Sequence, residues 1–381
     1  MKKSTVLFAV LALVAAGCTK TRIVDIGAEG GQRSIGFSAY TTRPTKAAQA
    51  DVTTVNLSSF QVTAIGNGAV YFSDAKFEKN AQSGVWESTP AYFWPAFPLD
   101  FYAYNTPEHA ATFTRNITTA GQTLFVKPNS DIAQQEDLVA AYEGGMKESD
   151  NNSNAAIPIN FKHYLTQVVV NAKNSNPTYE VKVCEVKLAN LAEDGIYTFN
   201  GNTMAATAEK VNSASSTDYT AAFNAKTLGS DPLEVMTDGG AGRWYLIPQS
   251  VTAWNRGSDE SALGTYDMEN NANGTYLALK VKITANIGDL RIYPATGEEY
   301  AWMAVPVPAT LAFAQGKKYN VTLDFFSPTG NGAGYVDPET PGDLDGDGVA
   351  SNDNGKKIIG GVIKFDATVT PWDTVDITIS L

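Results

Sequence analysis

The stretch "YFWPAFPLDFYAYN", residues 92–105, decides the fold class. Its residues alternate with the period of two that is typical of β-strands. The aromatic side chains are therefore interpreted as core residues of strands "AYFWP" and "LDFYAYN". A sugar-binding platform is the alternative that the same aromatic residues leave open.

Short segments of the same kind lie on both sides of this stretch. Turn residues separate them about every 8–12 residues, which is the spacing of an all-β sandwich. Tyr, Phe, Trp, Val and Thr are abundant, and no sustained helical period is found. In "SIGFSAYTTR", Ile35, Phe37 and Ala39 alternate and predict an inward face for the first strand. The sequence therefore predicts an all-β protein.

A polar stretch, "GGMKESDNNSNAA", divides the 381-residue chain. A chain of this length is expected to form two domains. We expect an N-terminal β-sandwich over residues 34–155 and a C-terminal β-sandwich over 156–381. In the second domain, "YLTQVVVNAKN" and "YEVKVCEVKLANL" flank "SNP" and predict a hairpin. A change of apolar parity predicts a β-bulge at Cys184–Glu185, and residues 202–232 are interpreted as a long loop.

The N-terminus is similar to a bacterial lipoprotein signal. Lys2 and Lys3 precede the apolar run "VLFAVLALVAA", and small residues lead into Cys18. Residues 1–17 would then be the signal peptide, Cys18 the acylated mature N-terminus, and residues 18–33 a tether to the outer membrane. An ordinary signal peptide with an incidental cysteine is the alternative. Cys184 would have no disulfide partner once Cys18 is acylated.

Charge and motifs exclude several function classes. The net charge of −12 argues against nucleic acid as a partner. The two histidines, His109 and His163, stand outside any HExxH motif, and no GxSxG or CxxC motif is present. The sequence therefore predicts a protein that is not an enzyme.

An acidic Gly/Asp loop spans residues 327–361. Within it, "DLDGDGVASNDN" has the spacing of a calcium-binding loop. The proposed oxygen ligands of a structural Ca²⁺ are Asp343, Asp345, Asp347, Val349 through its carbonyl group, and Asp353. The alternative is a solvated acidic linker.

The sequence ends on "TVDITISL", in which four apolar residues alternate with polar ones. These four residues are Val375, Ile377, Ile379 and Leu381. Their face can complete the chain's own C-terminal sandwich or the fold of a neighbouring subunit. Pro371, which cannot donate a hydrogen bond to a ladder, marks a break just before this segment.

At these residues the chain resembles the fimbrillins, the subunits of type V pili of anaerobic Gram-negative bacteria. The resemblance is carried by "YFWPAFPLDFYAYN", "FKHYLTQVVV", "WYLIPQ", "GKKYNVTLDF" and the C-terminal "VTPWD". It implies two transthyretin-like (Greek-key) β-sandwich domains in tandem. It also implies a structural subunit or adhesin of a cell-surface fimbrium, with other pilin subunits as partners and a host or bacterial surface as the target of adhesion.

The resemblance further implies activation by proteolysis. A trypsin-like protease would cut after Arg43 or Lys46, just beyond the first strand; Pro44 after Arg43 disfavours the first of these sites. Loss of that strand would open an apolar groove, which a terminal strand of the next subunit would fill by donor-strand exchange. The alternative is a surface lipoprotein that binds glycans or proteins and does not polymerise.

Overall fold

The computed structural model describes residues 33–41, 56–151, 156–201, 203–208, 216–239, 242–255, 274–329, 332–361 and 363–371. Strands dominate these residues, and the helices among them are single 3-10 turns at Ile132–Gln134, Glu148–Asp150 and Ala350–Asn352. The prediction of an all-β protein is confirmed. Within the described ranges, no helix has the length and apolar character needed to cross a membrane.

The first nine strands precede residue 164. They are β1 (Gly36–Thr41), β2 (Ser59–Gly66), β3 (Ala69–Lys79), β4 (Trp86–Ser88), β5 (Leu99–Tyr104), β6 (Thr112–Ile117), β7 (Gln122–Lys127), β8 (Val139–Met146) and β9 (Ile157–His163). Seven of them form a closed sheet in the order β1-β4-β3-β2-β5-β8-β9. Its interior is one apolar core.

The remaining strands follow residue 165. They are β10 (Thr166–Asn174), β11 (Tyr179–Leu191), β12 (Gly195–Asn200), β13 (Thr203–Ala208), β14 (Thr217–Thr227), β15 (Leu233–Glu234), β16 (Trp244–Leu246), β17 (Gln249–Ser250), β18 (Tyr276–Ala285), β19 (Leu290–Tyr293), β20 (Ala301–Pro306), β21 (Ala312–Phe313), β22 (Lys317–Phe325), β23 (Tyr335–Val336) and β24 (Lys364–Pro371).

Two sheets of this second half pack around the largest core. One contains β15-β10-β22-β24, with β16 also pairing with β10; the other contains β14-β11-β18-β20-β23, with β19 pairing with β18. Both sheets contribute β-branched and aromatic side chains to the core between them. Strands with one apolar face are stable in this arrangement because each sheet covers the other.

A four-stranded sheet connects the two halves. Its order is β13-β12-β7-β6, so two of its strands come from each half of the chain. Beneath it lies a separate core that includes Tyr102 and Tyr104 of β5. Because Leu99, Phe101 and Ala103 of the same strand face the closed sheet's interior, β5 is buried on both sides. The aromatic residues of "LDFYAYN" are therefore core residues, as the sequence predicts.

Local features of several strands agree with the sequence predictions. Ile35, Phe37 and Ala39 are 1%, 0% and 5% exposed. The register of β11 shifts between Val183 and Glu185 against both of its neighbours, which confirms the predicted β-bulge.

The predicted hairpin of β10 and β11 is wrong. β10 pairs with β15, β16 and β22, whereas β11 pairs with β14 and β18 in the opposite sheet. Val170 and Val181 belong to the same core. The two strands face each other across this core because each directs an apolar face inward, and their short connection crosses from one sheet to the other.

Two further features differ from the sequence interpretation. The described part of the predicted loop 202–232 contains the whole of β13 and β14, and both strands pair with neighbours. The expected boundary between residues 155 and 156 precedes β9, which pairs with β1 and β8 of the closed sheet. The chain passes from the closed sheet to the next sheet between His163 and Thr166 instead. Apolar alternation did not predict this position, because it does not indicate which sheet a strand joins.

Candidate functional site

The first strand fills the centre of the closed sheet. Phe37 is 0% exposed, and its ring centroid lies 4.9 Å from that of Phe77, 5.1 Å from that of Phe101 and 5.9 Å from that of Phe60. All three contacts are edge-to-face, which is a favourable geometry for aromatic pairs. Removing β1 would therefore leave an apolar groove lined by aromatic rings.

The backbone of β1 closes the sheet. It pairs antiparallel with β4 through Gly36 and Phe37. On its other side it runs parallel to β9, from Phe37 opposite Ile157 to Thr41 opposite Phe161. Without β1, both β4 and β9 would present an unpaired edge, and such edges are templates for another strand.

The predicted processing residues follow directly after this strand. Arg43 and Lys46 lie outside the described residues, as does Cys18. Of the cysteines, Cys184 is described and is partly buried. Burial raises the pKa of its thiol, which favours the unreactive protonated form.

The last described strand is an edge strand with an uncovered apolar face. β24 pairs with β22 over its whole length. Phe365 packs against the large core, but Val369, on the same face, is 49% exposed. The predicted donor-strand residues Val375, Ile377, Ile379 and Leu381 lie outside the described residues.

The acidic loop brings three of the five predicted calcium ligands together. Carboxylate oxygens of Asp343, Asp345 and Asp347 all lie within 4.8 Å of one another. Gly346 and Gly348, each with φ of +83°, adopt the left-handed conformation that the tight turn requires. This arrangement is suited to a hard cation, which prefers several oxygen ligands.

Hydrogen bonds hold Asp343 in its ionised form. The largest contribution is the bond that the Thr296 hydroxyl donates, and the backbone N–H groups of Gly346 and Gly348 add to it. Together they lower the pKa of the Asp343 carboxyl below its ordinary value. Thr296 belongs to a separate turn, so the sequence pattern of the loop did not predict its role.

The other two predicted ligands have different positions. Asp353 is buried; its carboxylate accepts hydrogen bonds from the Leu344 N–H at 2.7 Å and from Lys356 Nζ at 2.5 Å. The N–H of Val349 donates to Asp347 Oδ1 at 2.7 Å. Asp353 thus closes the base of the loop in this structure. Lys356 Nζ also lies 3.6 Å from Asp345 Oδ2, a contact that the calcium-loop spacing does not predict.

The two histidines occupy different environments. His163 is buried at the end of β9 with Nδ1 2.5 Å from Asp137 Oδ2. His109 lies on the surface with Nδ1 3.1 Å from Glu136 Oε1. The His163–Asp137 pair lies where the chain passes from the closed sheet into β10, which is consistent with the structural role predicted for His163.

Comparison with models of protein families identifies one family for this chain. A family model described as fimbrillin-like matches residues 21–337. A fimbrial protein from Bacteroides vulgatus is similar in structure, with a TM-score of 0.57, 15% identity and coverage of 89% of this chain and 99% of that chain. At this identity the likeness concerns the fold alone. A search of curated proteins found no match.

Two other solved structures are more distant. The fimbrial anchor protein Mfa2 from Porphyromonas gingivalis has a TM-score of 0.31 and 12% identity, with 77% of this chain and 92% of that chain covered. A candidate cell adhesion protein from Bacteroides uniformis has a TM-score of 0.45 and 13% identity, with 89% and 98% covered.

Proposed function

Because the chain belongs to the fimbrillin-like family, we propose that it is a structural subunit of a cell-surface pilus whose subunits join by donor-strand exchange. The single observation that carries the proposal is the position of β1. It is a short N-terminal strand that supplies Phe37 to the centre of an aromatic core, and the chain then continues into the segment with the proposed cleavage sites Arg43 and Lys46.

The proposed tandem domains are transthyretin-like β-sandwiches. Two separate cores support a two-domain organisation, one inside the closed sheet and one between the two sheets of the second half. The strand pairing supports a division between His163 and Thr166, because β9 pairs with β8 and β10 pairs with β16. The N-terminal domain would accept a strand, and the C-terminal domain would carry β24 and the donor segment that follows it.

The proposed donor segment can replace what β1 contributes. Burial of Val375, Ile377, Ile379 and Leu381 would stabilise the joint by roughly 6–12 kcal/mol before ordering costs, at about 1.5–3 kcal/mol for each side chain. Backbone hydrogen bonds to the freed edges of β4 and β9 would add to this. The apolar face of β24 is exposed at Val369. This exposure supports the proposal that the donor segment after β24 completes a neighbouring subunit and not the chain's own C-terminal sandwich.

We propose that the precursor reaches the outer membrane as a lipoprotein acylated at Cys18. Several acyl chains would anchor it stably, since each buried CH₂ contributes about 0.8 kcal/mol. Cleavage after Arg43 or Lys46 would then separate the anchor and β1 from the subunit. N-terminal sequencing of the protein from cells distinguishes an acylated Cys18 from a new N-terminus at Pro44 or Ala47.

Limited trypsin digestion tests the activation step. Cutting after Arg43 or Lys46 is expected to convert the monomeric precursor into oligomers, because loss of β1 exposes the groove. The measurement is size-exclusion chromatography before and after digestion. The Arg43→Gln/Lys46→Gln double variant should stay monomeric under the same conditions. A digested wild-type protein that stays monomeric and binds glycans would support the surface binding module instead.

We also propose that the acidic loop binds a structural Ca²⁺ through Asp343, Asp345 and Asp347. The three carboxylates, their close spacing and the ionised state of Asp343 support this site. The Val349 carbonyl and Asp353 are proposed further ligands; for Asp353 this requires the Lys356 ammonium, now 2.5 Å away, to withdraw.

Calcium is expected to raise the melting temperature. At a free concentration 100-fold above Kd the stabilisation is about 2.7 kcal/mol, which corresponds to about 5–10 °C for a domain of this size. Thermal unfolding in calcium and in EDTA measures the shift. Asp345→Ala should abolish it, whereas Asp366→Ala, which removes an exposed carboxylate paired with Lys364 on β24, should not. Identical melting temperatures in calcium and EDTA for the wild type would contradict the site.

A further inference from the structure

A buried lysine lies on the face of the six-stranded sheet that points away from the large core. Lys187 of β11 has a side chain that is 6% exposed. Its Nζ lies 5.1 Å from the ring centroid of Tyr276 and 5.3 Å from that of Trp302, and it donates to the Tyr276 hydroxyl at 3.1 Å. The two rings shield the amine from water.

Three carboxylates surround this amine. Asp337, directly after β23, has Oδ2 3.3 Å from Nζ and a fully buried side chain. Glu339 Oε2 lies 3.5 Å away and Asp218 Oδ2 3.8 Å away, and both side chains are about a third exposed. The nearest partner of Lys187 is therefore also the one most strongly removed from solvent.

The two oxygens of Asp337 have unequal surroundings. Oδ1 accepts hydrogen bonds from the backbone N–H groups of Glu339 and Thr340, each at 2.9 Å. Oδ2 accepts no hydrogen bond within the described ranges, and Lys187 Nζ faces it. Such a carboxyl group has one oxygen held where negative charge is stabilised and the other turned toward a nucleophile.

We propose that Lys187 and Asp337 condense into an intramolecular amide bond, with Glu339 carrying the proton. The ammonium first gives one proton to Asp337 Oδ2, which leaves a neutral amine and a carboxylic acid. Nζ then attacks Cγ, and the charge that develops on Oδ1 is stabilised by the two backbone N–H groups. Glu339 takes the second proton from Nζ and returns it to Oδ2, which leaves as water. The Nζ–Cγ bond forms, the Cγ–Oδ2 bond breaks, and no oxidant is needed.

The surroundings favour this step. The side chains of Lys187 and Asp337 are 6% and 0% exposed, so water has little access to the amine and to the carboxyl carbon that it would attack. Burial is also the largest cause that raises the pKa of the Glu339 carboxyl, which makes Glu339 a better transient proton carrier. The bond would fasten β11 to the acidic loop at Asp337, ahead of the aspartate cluster that begins at Asp343.

Mass spectrometry of the full-length protein isolated from cells tests the proposal. After denaturation and trypsin digestion, we expect the uncut peptide 183–210 to be joined to the Asp337 peptide, because trypsin does not cut after an acylated lysine. The joined mass should be about 18 Da below the sum of these two peptides because one water is lost. The separate Lys187 peptide should fall at least tenfold below the other tryptic peptides. Recovery of both peptides unjoined and unmodified in the wild type would overturn the proposal, and this measurement requires no variant.

Variants test the assigned roles. Lys187→Arg should abolish the joined peptide, and Glu339→Gln should slow its formation at least tenfold, since positioned proton transfer contributes about 10²–10⁴-fold. Lys173→Arg is the matched control, because Lys173 pairs with Asp324 at 3.1 Å but lies outside this cluster; its joined fraction should equal that of the wild type. Unchanged bond formation in Glu339→Gln would overturn the role of Glu339.

Discussion

Replacing Phe37 by alanine is expected to lower the free energy of unfolding of the uncut precursor by about 3–5 kcal/mol. The side chain is fully buried and contacts three aromatic rings of the closed sheet. Its loss removes apolar burial and leaves a cavity. Urea denaturation measures the change. Ser38→Ala, on the half-buried opposite face of the same strand, is the matched control and should cost less than about 1.5 kcal/mol.

The same substitution has a second expected result. Once β1 has been cut away and exchanged, Phe37 is no longer in the subunit, so polymers of Phe37→Ala should be as stable as those of the wild type. An equal loss of stability in precursor and polymer would mean that β1 stays in place. A loss well below 2 kcal/mol in the precursor would contradict the central position of Phe37.

Deleting residues 374–381 is expected to abolish polymerisation of the digested protein. The deletion removes the four apolar side chains that would fill the groove, and with them roughly 6–12 kcal/mol of burial. Polymers resistant to SDS should form a ladder on gels of digested wild type and be missing from the deletion variant. Before digestion, the precursors of the deletion variant and of the wild type should both be monomeric.

A paired substitution separates the role of the apolar face from that of chain length. Ile377→Asp/Ile379→Asp should abolish the ladder, because two charges would enter an apolar groove. Thr378→Ala/Ser380→Ala changes the opposite face of the segment and should preserve the ladder. A ladder that persists in the deletion variant would show that another segment joins the subunits.

Local sequence patterns predicted the structural features that depend only on residues close together in the sequence. The alternation of Ile35, Phe37 and Ala39 predicted the buried face of β1, because neighbouring side chains of a strand point to opposite sides. The parity change in "VKVCEVKL" predicted the bulge at Cys184–Glu185 for the same reason. The spacing of three aspartates predicted the cluster of the acidic loop, since a tight turn with glycines brings them together.

Pairing between distant segments could not be predicted in this way. β7 pairs with β12 across the expected domain boundary, and β9 pairs with β1. The sequences of these strands do not indicate which strand each of them pairs with. β10 and β11 are adjacent in sequence but belong to opposite sheets. The Lys187–Asp337 pair was missed for the same reason, because only the folded sheet brings these residues together.

Whether β1 is still present in the polymer is the most direct test of strand exchange. The measurement is mass spectrometry of the SDS-resistant polymer band cut from a gel after limited trypsin digestion and size-exclusion chromatography. If β1 is replaced, the band contains peptides from β2 to β24 and from residues 374–381, while peptides from residues 34–43 are reduced at least tenfold. A polymer that retains peptides of residues 34–43 in equal amount to the rest of the chain would contradict the account.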